Sequence, residues 1–209
     1  MHPVLFWLAA ALLWAGFTLW YGNWRGPLSP EEVEAYARRL AAGAAAPDPD
    51  RLATLRAFLA ADDGREFFMV NLIRLHPEPV EVPGAGEREA ANEVLARYSR
   101  PFLGGALRRA THPIFFAQAA ARYLEQWGVE PDPGWTAAGV IRYRSRRDLA
   151  ELAADPRFGE IHPFKQTALS HTLAFPATAG LALGPRVLVP LGLALAAALA
   201  HLQLGRGGG

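Results

Sequence analysis

The chain has 209 residues, 51% of them hydrophobic, with 21 basic and 20 acidic residues and a formal net charge of +1. That length holds one ordinary domain with additions. A balanced charge leaves no electrostatic footprint for a nucleic-acid partner, and the absence of cysteine excludes disulfides, thiolate catalysis and thiolate metal sites.

Charge is unevenly spread. Every acidic residue lies between Glu31 and Glu160. Pro3 to Tyr21 carries no charge, and at about 1.5 Å per helical residue it spans roughly a bilayer core. Trp20, Tyr21 and Trp24 sit where an interfacial aromatic belt belongs. No Lys or Arg precedes the run, and its far end is bulky, which argues against a cleaved signal peptide. Residues 1–25 are therefore expected to be a transmembrane helix.

Residues 26–63 form a helical connector. Ser29 caps, Pro30 suits the first helical position and Glu32 completes a capping box, which predicts a helix to about Gly43. Asp48-Pro49 starts a second helix, with Leu52, Leu55, Phe58 and Leu59 as its stripe. The two should form a hairpin on the following domain.

Residues 64–179 are read as that domain. Phe67 to Leu75 is rich in aromatic and β-branched residues and apolar on both faces, so it is expected to be a central strand covered on both sides. A polar loop, His76 to Gly86, precedes a helix from about Glu87, which Arg100-Pro101 and Gly104-Gly105 should kink or split. His112 to Ala119 reads as a second strand and Trp135 to Tyr143 as a third. Ser145 and Asp148 cap a helix to Ala154 that is broken at Asp155-Pro156 and resumes toward Leu169. His171 to Phe175 is the fourth strand. The order strand-helix-strand-strand-helix-strand predicts an α+β fold, a ferredoxin-like split βαβ domain with an antiparallel sheet. Helices would cover one sheet face. The other would meet a second copy, or be covered by the connector helices.

Val187 to Leu204 is again free of acids and bases, and Pro190 is tolerable inside a membrane helix. Residues 180–204 are expected to be a second transmembrane helix and 205–209 a disordered tail. Both termini then share one side. Arg25, Arg38, Arg39 and Arg186 flank the other side, which leans the domain toward the cytoplasm.

Three stretches carry a family resemblance: Met69-Val70-Asn71-Leu72-Ile73-Arg74, Gly139 to Arg146, and Asp155-Pro156-Arg157-Phe158 through Ile161-His162-Pro163-Phe164-Lys165. Together they resemble the dimeric α+β barrel superfamily, closest to a family of domains of unknown function, over roughly residues 64–177. The resemblance implies a ferredoxin-like sheet that dimerises. Related families include cofactor-free monooxygenases, haem-degrading enzymes and haem peroxidases.

Candidate sites follow. Asn71 shares the face of Met69 and Ile73, and a polar Asn there needs partners. The resemblance implies that an early-strand Asn works with Trp and His, for which Trp135 and His171 are the companions. His162, followed by Pro163, is an acid/base or haem-ligand candidate, or else a capping or packing residue. Arg74 and His76 near the strand exit, and Tyr98 and Tyr143 around the domain's interior, are the ligand-binding candidates. The run Arg142, Arg144, Arg146, Arg147 is either a solvated edge paired with Asp148 and Glu151 or a contact for lipid headgroups. No His pair or HExxH motif suggests a metal.

The expected role is a membrane-tethered domain binding a small ligand or a protein partner at the membrane surface, without demonstrable activity. No cofactor is expected, with haem the one left open. The alternatives are a membrane-tethered monooxygenase or oxidoreductase of the barrel type, and an accessory subunit of a larger membrane complex. Expected partners are membrane lipid, a second copy through the open sheet face, or another chain of such a complex.

Overall fold

The computed structural model describes residues 4–43, 46–178 and 184–206. In chain order the elements are α1 (Val4–Tyr21), α2 (Pro30–Ala41), α3 (Pro49–Ala60), β1 (Phe67–Leu75), β2 (Val80–Glu81), β3 (Arg88–Glu89), α4 (Ala91–Leu107), β4 (His112–Gln118), β5 (Ala137–Tyr143), α5 (Arg146–Ala153), α6 (Pro156–Ala168), β6 (Leu169–Ala177) and α7 (Pro185–Arg206). They fall into two units, residues 25–178 and residues 1–24 with 179–209.

Residues 25–178 are a mixed α+β domain around a four-stranded antiparallel sheet of order β4-β5-β1-β6. β1 has the bounds its composition predicts and lies between β5 and β6. Its side chains alternate. Phe67, Met69 and Leu75 meet Ala106, Leu152, Val94 and Phe164 of the helices. Val70 and Leu72 point the other way. They pair with Val140 and Ala138 on one side and with Phe175 and Leu173 on the other.

No described residue covers that second face, contrary to the expectation for β1. Phe115 is 52% exposed, Leu173 49% and Phe175 46%. Nor do the connector helices close it. Val33 of α2 and Leu59 of α3 are buried against Ala150 of α5, and Phe58 meets Phe67 edge-on at 5.1 Å. The hairpin therefore lies on the helix-covered side.

The arginine run explains why. Arg144 pairs with Asp148 at 2.6 Å, as its spacing predicts. Arg142 and Arg147 are buried rather than solvated. Arg147 binds both Glu32 carboxylate oxygens in α2 and donates to the Pro27 carbonyl at 3.1 Å. Arg146 stacks over the Phe58 ring at 4.4 Å and donates to the Phe58 carbonyl. Arg142 donates to Glu66 at 2.9 Å and to the Ala110 carbonyl at 2.6 Å. These charges clamp the connector and the strand ends.

The stretch 76–90 is more ordered than its polar composition suggests. It forms the β2–β3 hairpin, and Val80 and Val82 are buried beside Val94 and Ala168. Arg88 and Glu89 are used in that pairing, so α4 begins at Ala91 rather than Glu87. α4 also runs as one helix through Pro101. The proline removes one backbone donor but sits at an exposed position, while the opposite side of the helix is held by α6. β5 starts at Ala137, two residues later than predicted, and β6 extends to Leu169–Ala177. The Ser145 cap forms, its hydroxyl accepting from the Asp148 N–H at 3.2 Å.

The second unit contains α1 and α7, which contact each other. Trp7 Nε1 donates to His201 Nδ1 at 3.4 Å, and the Arg186 guanidinium lies 5.7 Å from the Tyr21 ring centre. The start of one helix thus meets the end of the other, an antiparallel pair. Both helices are long and apolar enough to cross a membrane. Gly205 and Arg206 continue α7 instead of joining the expected tail. Residues 1–3, 44–45, 179–183 and 207–209 of the predicted segments lie outside the described residues.

Candidate functional site

The site is built where α4 crosses α6 over the sheet. Gly105 of α4 sets the approach, since a Cβ there would fall 2.6 Å from Cζ of Phe158. Tyr98 and Phe102 are one turn apart on α4 and stack at 5.5 Å with an 18° interplanar angle. Phe158, His162 and Lys165 recur at helical spacing on α6 and face that stack. Phe158 meets Phe102 edge-on at 5.9 Å, and His162 meets Tyr98 edge-on at 6.0 Å. The Lys165 ammonium sits 5.6 Å from the Tyr98 ring centre, within cation–π range. Beneath them, Tyr143 of β5 stacks on Phe67 at 5.0 Å.

Electrostatics follow from burial. Desolvation raises the Tyr98 phenol to about 12, so it stays protonated and can donate. The Tyr143 phenol is pushed up by burial and by Tyr98 beside it. His162 is held below its ordinary value by burial, with Lys165 and Arg51 of α3 adding like charge. Lys165 is lowered by burial and then by Arg51. Lys165 makes no hydrogen bond or ion pair among the described residues.

The other sequence candidates are placed elsewhere. Asn71 is on the helix-covered face, where its amide donates to its own strand's Met69 carbonyl at 2.9 Å. Trp135 Nε1 donates to the Tyr123 hydroxyl at 2.7 Å, in a loop that Asp132 closes by accepting from the Tyr123 and Gly134 N–H groups. His171 is exposed on β6, paired in register with Arg74. It therefore lies on the opposite sheet face from Asn71. His76 is exposed, and its backbone N–H donates to the Ala168 carbonyl. The structure thus brings together Tyr98, Tyr143 and His162. It does not gather Asn71, Trp135, His162 and His171 around one point. An open cleft of about 550 Å³ on the outer side of α4 is lined by Glu89, Glu93, Arg97, Arg100 and Pro101, and Arg97 is already paired with Glu89.

Sequence reasoning did not single out Lys165 as a site residue. The signal was present: it is the one lysine in a chain of twenty arginines, three residues after His162. Among the described residues, no group of three His, Asp or Glu side chains is placed to hold a metal.

No family model and no curated protein matches this chain. Two solved structures share its fold. One is the RPA0582 protein of unknown function from Rhodopseudomonas palustris, 21% identical, with a TM-score of 0.52. The match covers 65% of this chain and 96% of that one. The methylated RPA0582 protein matches at 24% identity and the same TM-score, covering 66% and 95%. At these identities the likeness concerns the fold alone.

Proposed function

We propose that this chain is a membrane-anchored domain of the ferredoxin-like, barrel-forming type. In this reading it pairs with a second copy through its open sheet face and binds a small ligand between α4 and α6. The strand order β4-β5-β1-β6, with helices after β1 and after β5, supports the split βαβ arrangement.

The observation that carries the reading is the apolar, uncovered sheet face. Val70, Leu72 and Val140 form its centre, and Phe115, Leu173 and Phe175 stand exposed around them. A continuous patch of this kind calls for a partner surface, and two such faces stack about 10 Å apart. An isologous contact needs the same patch on both chains, which one antiparallel face supplies.

Membrane attachment is supported by α1 and α7. Their apolar side chains point outward, Leu12 at 74% and Leu195 at 62% exposed, which supports reading them as membrane helices rather than as core helices of a water-soluble fold. An apolar solvent satisfies both helices without a protein core around them. The arginines at 25, 38, 39 and 186 favour a cytoplasmic domain.

The chain's lack of cysteine makes the pairing testable. Leu173→Cys in the full-length protein, treated with a short bismaleimide, should give a band of twice the chain mass. Glu160→Cys, exposed on α6, should not. Equal cross-linking at both positions, or none at Leu173→Cys, rejects the sheet-to-sheet pairing.

A further inference from the structure

A cation in an arginine-rich chain ordinarily ends in a carboxylate. Glu32, Asp48, Glu66, Asp148, Glu151 and Asp155 each take an arginine here. Lys165 is different. It is half-buried, its ammonium faces an aromatic ring, and no acid or hydrogen-bond acceptor reaches it among the described residues. His162 stands on the same face of α6 against the same ring. Arg51, whose charge acts on both groups, lies 3.9 Å from Asp48, which is more than half exposed and caps α3. Glu160 of α6 is exposed to solvent.

We propose that Lys165 and His162 form an anion site on α6 beside the Tyr98 ring, for a small carboxylate. This rests on the ligand half of the reading above and names the chemistry of that ligand. Lys165 supplies a compact point charge and three donors, where a guanidinium would be larger and more rigid. His162 supplies a further donor.

The site has a proton signature. Burial holds His162 and Lys165 below their ordinary values; Lys165 adds like charge against His162, and Arg51 adds to both. An arriving anion offsets that repulsion and raises both groups' affinity for protons. Binding should therefore take up protons and tighten as pH falls through the His162 range.

The test is calorimetry on the full-length protein in detergent, with benzoate as probe and benzamide as its uncharged counterpart. Two buffers of different ionisation enthalpy report the protons. Benzoate should bind at least about tenfold tighter than benzamide, the usual size of one charge-assisted contact, with proton uptake. Lys165→Met should lose that preference, and Lys165→Arg should restore part of it. Equal binding of the two probes, or a preference untouched by Lys165→Met, overturns the anion site and leaves a ligand pocket standing. Binding of neither overturns both. Should Lys165→Met not fold, the benzoate–benzamide ratio on the unaltered chain decides. The cross-linking of the sheet face is independent of all these outcomes.

Discussion

Gly105 and Phe158 are in contact so close that no side chain fits between them. A Cβ on Gly105 would lie 2.6 Å from the ring's Cζ and 3.2 Å from Cε2. The ring cannot swing freely, because its other neighbour is Phe102. Gly105→Ala should therefore cost about 1–3 kcal/mol of stability by overpacking. Thermal unfolding followed by circular dichroism measures it. Gly105→Ala combined with Phe158→Leu should recover part of the loss, whereas Gly104→Ala, which meets nothing within 4 Å, should not destabilise.

Arg142 is 1% exposed, with its donors divided between Glu66 and the Ala110 carbonyl. Lysine cannot reproduce that fork. Arg142→Lys should cost about 2 kcal/mol and Arg142→Ala about 3 kcal/mol, because Glu66 and a buried carbonyl are left without their donor. Denaturant midpoints at constant slope would show it.

The Arg147 clamp makes the connector's attachment acid-sensitive. The hydrogen bonds from Arg147, with the Ser29 N–H, hold the Glu32 carboxyl at about 2, against an ordinary 4.5. Its folded value is depressed, so its contribution is full above about pH 4.5 and is lost as pH falls toward 2. Asp155, held at about 2 by Arg157, adds in the same window. Glu32→Gln should flatten the fall in stability over that range. At neutral pH it should cost about 1 kcal/mol, modest because Glu32 is partly solvated. Unfolding free energies at a series of pH values check both.

Membrane attachment gives a fractionation result. The chain should stay with the membrane after alkaline carbonate washing and leave it with detergent. Each apolar helix should suffice to hold the chain, so that a chain lacking residues 184–206 still sediments with the membrane. Release by carbonate alone would contradict the two-span reading.

Much of the fold was legible because local signals agreed. The bounds of β1 follow from its aromatic and β-branched run, and the Ser29 and Ser145 caps from their hydroxyls and the acids three residues on. The β2–β3 hairpin was not legible. Two-residue strands leave almost no periodicity, and Val80 and Val82 gain their burial from Val94 of α4 and from Ala168 of α6, far along the chain. The fate of the arginine run was hidden for the same reason. Spacing predicts Arg144 with Asp148, but the partners of Arg142 and Arg147 are 76 and 115 residues away. The candidate site was half visible. Tyr98 and His162 stand out as residue types, whereas the unpaired state of Lys165 is a property of the packed helices. Asn71, Trp135 and His171 share a residue chemistry but not a place, since β6 pairing puts His171 on the far face.

The most direct test of the account is native mass spectrometry of the full-length protein released from detergent. The open sheet face predicts a mass of two chains, reduced to one by Phe175→Asp. A single-chain mass for the unaltered protein at micromolar concentration, or a two-chain mass that Phe175→Asp leaves intact, would contradict it.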